Sequence, residues 1–169
     1  MPLQKTKLEH WLGRVLAAAQ KSPTLRARAQ IHTPWSVDTH WASAREIRAL
    51  NRKYLRKDRP TDVLSFPAPA WEMCVPGFLG EVFVCREVLQ RQARERGLTE
   101  EQELAVLVTH GVLHLLGFDH ERSKREAHAM ARWEKRLLLR TVPAAWVRQT
   151  RGRCLQGLIE RIESGNTKA

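Results

Sequence analysis

The chain has 169 residues, 43% of them hydrophobic, which fits one folded domain with a sizeable core and excludes a disordered polymer. Lys and Arg number 29 against 18 Asp and Glu, and the net charge of +11 draws polyanions, nucleic acid first among them. Cys74, Cys85 and Cys154 are too scattered for a disulfide framework and suit a reducing cytosol, while the first residues do not read as a signal peptide and no apolar run is long enough to span a membrane.

Taken in order, Thr6 to Gln20 places Leu8, Trp11, Leu12, Val15, Leu16 and Ala19 on one helical face, and Ser22-Pro23 ends that helix. The weak alternation from Leu25 to His32 predicts a strand. Trp35, Val37, Thr39 and Trp41 alternate more clearly and predict a second, half-exposed one. Ser43 with Glu46 forms a capping box for a helix to about Leu55, with Ile47, Leu50 and Tyr54 toward the core. The basic loop Arg56-Lys57-Asp58-Arg59-Pro60 can grip phosphates or simply turn in solvent. Thr61–Pro67 predicts a short strand, residues 68–80 a loop, and the more apolar Glu81–Cys85 a central strand. Arg86–Arg96 is a charged helix stopped by Gly97, and Thr99 with Gln102 caps the next one. Glu121–Arg140 and Ala144–Ile162 predict two further helices, separated by Val142-Pro143. His32 and His40 read as surface residues, and His128 as a surface or packing residue of its helix.

The chemistry sits in Thr109-His110-Gly111-Val112-Leu113-His114-Leu115-Leu116-Gly117-Phe118-Asp119-His120. Residues four apart share a helix face, so His110 and His114 can reach one point. Gly117 can end the helix in the left-handed conformation, and the returning chain can deliver His120. Three neutral imidazoles on one ion, with a fourth position open, describe a catalytic zinc site. The spacing matches metzincin proteases except that Gly111 stands where their general-base Glu would be. The motif therefore points to metal-activated hydrolysis and away from peptide bonds.

Two stretches together, Leu50-Asn51, Tyr54 and Asp58 to Pro67 before Leu79-Gly80-Glu81-Val82, and then His110 to His120, resemble the YbeY family of zinc-dependent endoribonucleases. The resemblance covers roughly residues 37 to 140. It implies an α+β fold, a small mixed sheet packed with helices around a central metal-binding helix. It also implies one Zn2+ ion on His110, His114 and His120, and cleavage of single-stranded RNA in the cytoplasm. The expected tasks are 16S rRNA 3′-end maturation and ribosome quality control, with the small ribosomal subunit and its proteins as partners and no membrane. A family-like domain is expected over residues 1–142 and a basic C-terminal extension over 143–169.

The pattern departs at two positions. The family's Arg after the Tyr is here Leu55, so Arg56 is the candidate catalytic arginine, and the family's Asp after Leu-Gly is Glu81. Asp119 either orients a ligand imidazole through a hydrogen bond or forms the turn before His120. Two competing readings are a ribosome-binding assembly factor with weak or no nuclease activity, and a metal-dependent protease.

Overall fold

Short polar side chains start four of the described helices. The structure, a computed structural model, describes residues 2–69 and 75–149. Helix α1 spans Pro2–Gln20 and α2 spans Pro23–Ala29. Ser22 caps α2 by accepting from the Leu25 N–H, Pro23 stands in its first turn, and Gln30 closes it with φ 55°. The strand predicted over residues 25–32 is therefore mostly a helix. Ser-Pro marks the expected end of α1, which stops at Gln20, and is also the N-cap and first helical residue of the next element.

Strands β1 (Ser36–Ala42), β2 (Val63–Pro67) and β3 (Phe78–Cys85) form one mixed sheet in the order β1-β3-β2. β1 runs parallel and β2 antiparallel to the central β3, which begins at Phe78, ahead of the predicted Glu81. Between β1 and β2, α3 spans Ala44–Leu55 and opens on the expected capping box of Ser43 and Glu46. Ile47 is fully buried, but Tyr54, predicted to face the core, is 54% exposed. The last turn of α3 overhangs the edge strand, where the Tyr54 ring meets Phe66 edge-on at 5.0 Å.

Helix α4 (Arg86–Arg96) ends at Gly97, and α5 (Glu100–Leu115) opens on the Thr99–Gln102 capping box. α5 is apolar nearly all round and is accordingly buried nearly all round. Val108, Val112 and Leu113 expose nothing, each burial stabilising by about 1.5–3 kcal/mol. Its neighbours are α1, α4, the sheet and α6 (Lys124–Thr141). α6 starts later than the predicted Glu121, because Ser123 is its cap and the preceding residues turn. The far face of the sheet packs on α3 and the first turn of α4 through Ala42, Ile47, Leu64, Cys85 and Val88. The architecture is the expected α+β fold around a central helix.

Of the helix predicted for Ala144–Ile162, the structure describes α7, Ala144–Gln149. The remainder, with Cys74 and Cys154, lies outside the described residues. No helix among the described residues is long and apolar enough to cross a membrane.

Candidate metal centre

The centre is built where the buried helix stops. Gly117 takes φ 81°, a conformation that costs a side-chain-bearing residue strain. Its N–H donates to the His114 carbonyl (2.9 Å) and the Phe118 N–H to the Leu113 carbonyl (3.1 Å), the bonding of a Schellman turn. Two later carbonyls are taken from across the molecule. Arg28 of α2 donates from Nε to the Leu116 oxygen (2.9 Å) and from a terminal nitrogen to the Gly117 oxygen (2.5 Å). Its guanidinium lies 3.9 Å from the centre of the buried Phe118 ring and reaches Glu126 at 3.2 Å. The turn that carries His120 is thereby held from two sides.

The three rings converge. Centroid separations are 4.6 Å for His110–His114 and 5.2 Å from each to His120. One ligand atom from each lies within 4.8 Å of the others, and the Nε2 atoms of His110 and His114 are 3.0 Å apart. Two nitrogens held tetrahedrally by one zinc at its usual bond length stand about 3.3 Å apart, so this pair is close to ligand spacing. Among the described residues no other cluster of His, Cys, Asp or Glu has such geometry.

Electrostatics supports the same use. Burial, with His110 and His120 nearby, depresses the His114 imidazole to about 4. Burial and His110 likewise lower His120. Both rings thus keep free lone pairs at neutral pH, and the buried Nδ1 of His120 has no hydrogen-bond partner. For His110, burial alone would lower the pKa, but the hydrogen bond and charge of Glu134 outweigh it and raise the value. The His110 Nδ1 stands 2.5 Å from Glu134 Oε1, on the face of α6 that packs against α5. With the Nδ1 proton held by Glu134, it is the Nε2 proton that a metal displaces, and the lone pair so released faces His114. This donor set fits a zinc ion.

Gly111 explains the absent general base. A Cβ there would stand 3.0 Å from Ser65 Oγ and 3.0 Å from Val82 Cγ1, so this side of α5 lies tight against the sheet. Ser65 Oγ uses that approach to donate to the Gly111 carbonyl at 3.1 Å. A glutamate in this position would meet the sheet before it could serve the histidines.

A sequence model of the family described as Endoribonuclease YbeY matches residues 1–141. The chain belongs to the endoribonuclease YbeY family. Endoribonuclease YbeY of Koribacter versatilis is 38% identical over 122 residues, 72% of each chain. That of Bdellovibrio bacteriovorus is 39% identical over 123 residues, 73% of this chain and 77% of its own. A solution structure from Thermotoga maritima is 29% identical, with a TM-score of 0.49 over 82% of this chain and 87% of that one.

Within this YbeY-family site the remaining sequence candidates separate. Arg56 is the exposed C-cap of α3, with φ 58°. It touches none of the histidines, but its neighbour Lys57 pairs with Glu121, beside His120, at 2.9 Å, and so ties that loop to the centre. Asp119 Oδ1 accepts from the Glu121 N–H at 2.9 Å, the contact of a turn former. The carboxylate bonded to a ligand ring is Glu134. Glu81 points away from α5 and meets His40 at 3.3 Å. Glu134 and Arg28 are absent from the motif reading. A glutamate on the apolar face of α6, among Met130, Ala131, Leu137 and Leu138, is the signal that marks the first. Nothing local marks the second.

Proposed function

We propose that this chain is a zinc-dependent endoribonuclease for single-stranded RNA, acting in 16S rRNA 3′-end maturation and in ribosome quality control. The observation that carries the reading is the convergence of His110, His114 and His120 within 4.8 Å, with the lone pairs of two rings kept free by burial. Bound there, one zinc ion supplies Lewis acidity toward a phosphodiester and acidifies water. Glu134 fixes the tautomer and direction of His110, and Arg28 fixes the turn behind His120. Arg56 stabilises the charge that gathers on the phosphate. The net charge of +11 favours a polyanion, and the packing at Gly111 disfavours peptide hydrolysis. The catalytic domain extends to about residue 142, and the basic residues of 143–169 add RNA affinity.

Leu55, 50% exposed where the resemblance expects arginine, favours a second reading. The chain is then an assembly factor that binds the small ribosomal subunit and its proteins and cuts little.

The test strips the purified chain with a chelator, restores it with zinc, and offers single-stranded and duplex RNA of one sequence. Zinc-restored cleavage of the single strand supports the enzyme. A zinc-loaded chain that binds ribosomal particles and never cuts RNA establishes the second reading. Arg56→Ala is expected to slow cleavage about tenfold or more, and an unchanged rate removes Arg56 from the site.

A further inference from the structure

We infer that a line of aromatic rings on the sheet face turned away from α5 is a stacking track for the bases of single-stranded RNA. The inference deepens the endoribonuclease reading and rests on it for the identity of the ligand. Residues along β3 alternate in direction. Val82 and Val84 are fully buried, and Val82 lies against Gly111 of α5. Phe83 points the other way, where it pairs with His40 of β1 and Leu64 of β2.

His40 stacks on Phe83 with centroids 4.5 Å apart and planes inclined by 21°. Phe83 meets Phe66 edge-on at 5.6 Å, and Phe66 meets Tyr54 at 5.0 Å. The four rings form an unbroken path from one edge of the sheet, across β3 and β2, to the end of α3. None of them is fully buried, and Tyr54 with Leu55 is more than half or about half exposed. A groove of about 490 Å³ opens between α3 and the sheet beside this path, lined in part by His40, Leu50, Lys53 and Phe83. Phe66 and Phe83 rest against the cluster beneath α3, and the row they begin reaches solvent at Tyr54, where a connected row of rings beside a groove marks a binding surface.

Charge selects the occupant. Lys53 Nζ lies 4.9 Å from the Tyr54 ring centre. Arg52, Arg56 and Arg59 are exposed at the same end. Of the acids near this path, Glu81 contacts His40 and Glu46 caps α3 through Ser43, and both lie away from the Tyr54 end where the cations gather. Rings joined to cations at one end suit a strand whose bases stack while its phosphates pair with Lys and Arg. The Tyr54 end is also the end tied to the centre, through the Lys57–Glu121 pair beside His120. A duplex keeps its bases stacked on one another and offers such a track nothing, so the track provides a physical cause for single-strand preference.

The test is a fluorescence-anisotropy titration of the full chain with a labelled 12-nucleotide single strand and with a 12-base-pair duplex, probe length being verified after each titration. Tyr54→Ala is expected to weaken single-strand binding about tenfold or more while changing duplex binding less than twofold, and Tyr54→Phe restores the affinity. Because Tyr54 is exposed, the variant keeps its fold, which circular dichroism checks. A single strand carrying 5-iodouridine should crosslink on irradiation to Tyr54, the one tyrosine of the chain. Binding by Tyr54→Ala within twofold of wild type, or equal losses for single strand and duplex, overturns the track, as does a variant that loses only affinity for a ribosomal protein. A chain that binds through Tyr54 but never cuts RNA refutes the enzyme reading and leaves the track standing. A chain that cuts RNA with Tyr54→Ala binding unchanged does the reverse.

Discussion

Glu134 offers the sharpest probe of how the centre is held. Its side chain is 8% exposed and that of His110 is 24% exposed, so little water competes for their hydrogen bond. Glu134→Ala leaves the His110 Nδ1–H without an acceptor, at about 1–3 kcal/mol for a buried unpaired donor. Loss of the group that orients a ligand histidine weakens metal binding about 10–100-fold, or about 1.4–2.7 kcal/mol. The two scales agree, so the variant should bind zinc 10–100-fold more weakly by competition with a chromophoric chelator at pH 7.5. Glu134→Gln keeps an acceptor oxygen and loses the charge, and should fall between wild type and Glu134→Ala. Zinc affinity within twofold of wild type in both variants, with folding intact, would refute this account of Glu134.

Arg28→Ala should lower stability by about 1–2 kcal/mol, through the lost bonds to the Leu116 and Gly117 carbonyls, and speed zinc release. Arg28→Lys should not restore it, since an ammonium lacks the fork; an unchanged melting temperature for Arg28→Ala would remove the clamp. Gly111→Ala gains about 1 kcal/mol of helix propensity and loses about 1–3 kcal/mol by overpacking against Ser65 and Val82. Urea unfolding should therefore show a net loss of about 1 kcal/mol, and Gly111→Glu should fold poorly rather than become a peptidase. Burial pushes the fully buried Glu103 up to about 7 against the pull of Arg96. The folded chain then holds a proton that the unfolded chain releases between 4.5 and about 7. The contribution to stability is complete below that window and lost as pH rises through it. Glu103→Gln should consequently gain on wild type from pH 5 to 8, by at most about 3 kcal/mol; parallel melting curves across that range would contradict this.

What was legible in the sequence is what is local. His110, His114, Gly117 and His120 lie within one helix end, and both capping boxes appear where spacing predicts them. The alternation of β1 and the apolar run of β3 fixed the sheet's position, because side-chain direction in a strand follows the residue count. Ser22-Pro23 both stops α1 and starts α2, and only the packing of Leu25 into the core reveals the second role. Tyr54 shares helical spacing with Ile47 and Leu50, but periodicity cannot tell where a helix overruns the sheet beneath it. Arg28 reaches carbonyls 88 and 89 residues away, and those acceptors are backbone atoms that carry no residue identity. Glu134 sits 24 residues from His110, and a carboxylate on an apolar face was its one visible sign.

The most direct test is metal analysis joined to a single-stranded RNA cleavage assay, wild type against His114→Ala. One zinc per wild-type chain with cleavage is expected, and loss of both in a His114→Ala variant that still folds. A His114→Ala chain that keeps its zinc and its rate, or a zinc-loaded wild type whose metal is bound elsewhere than at His110, His114 and His120, would contradict it.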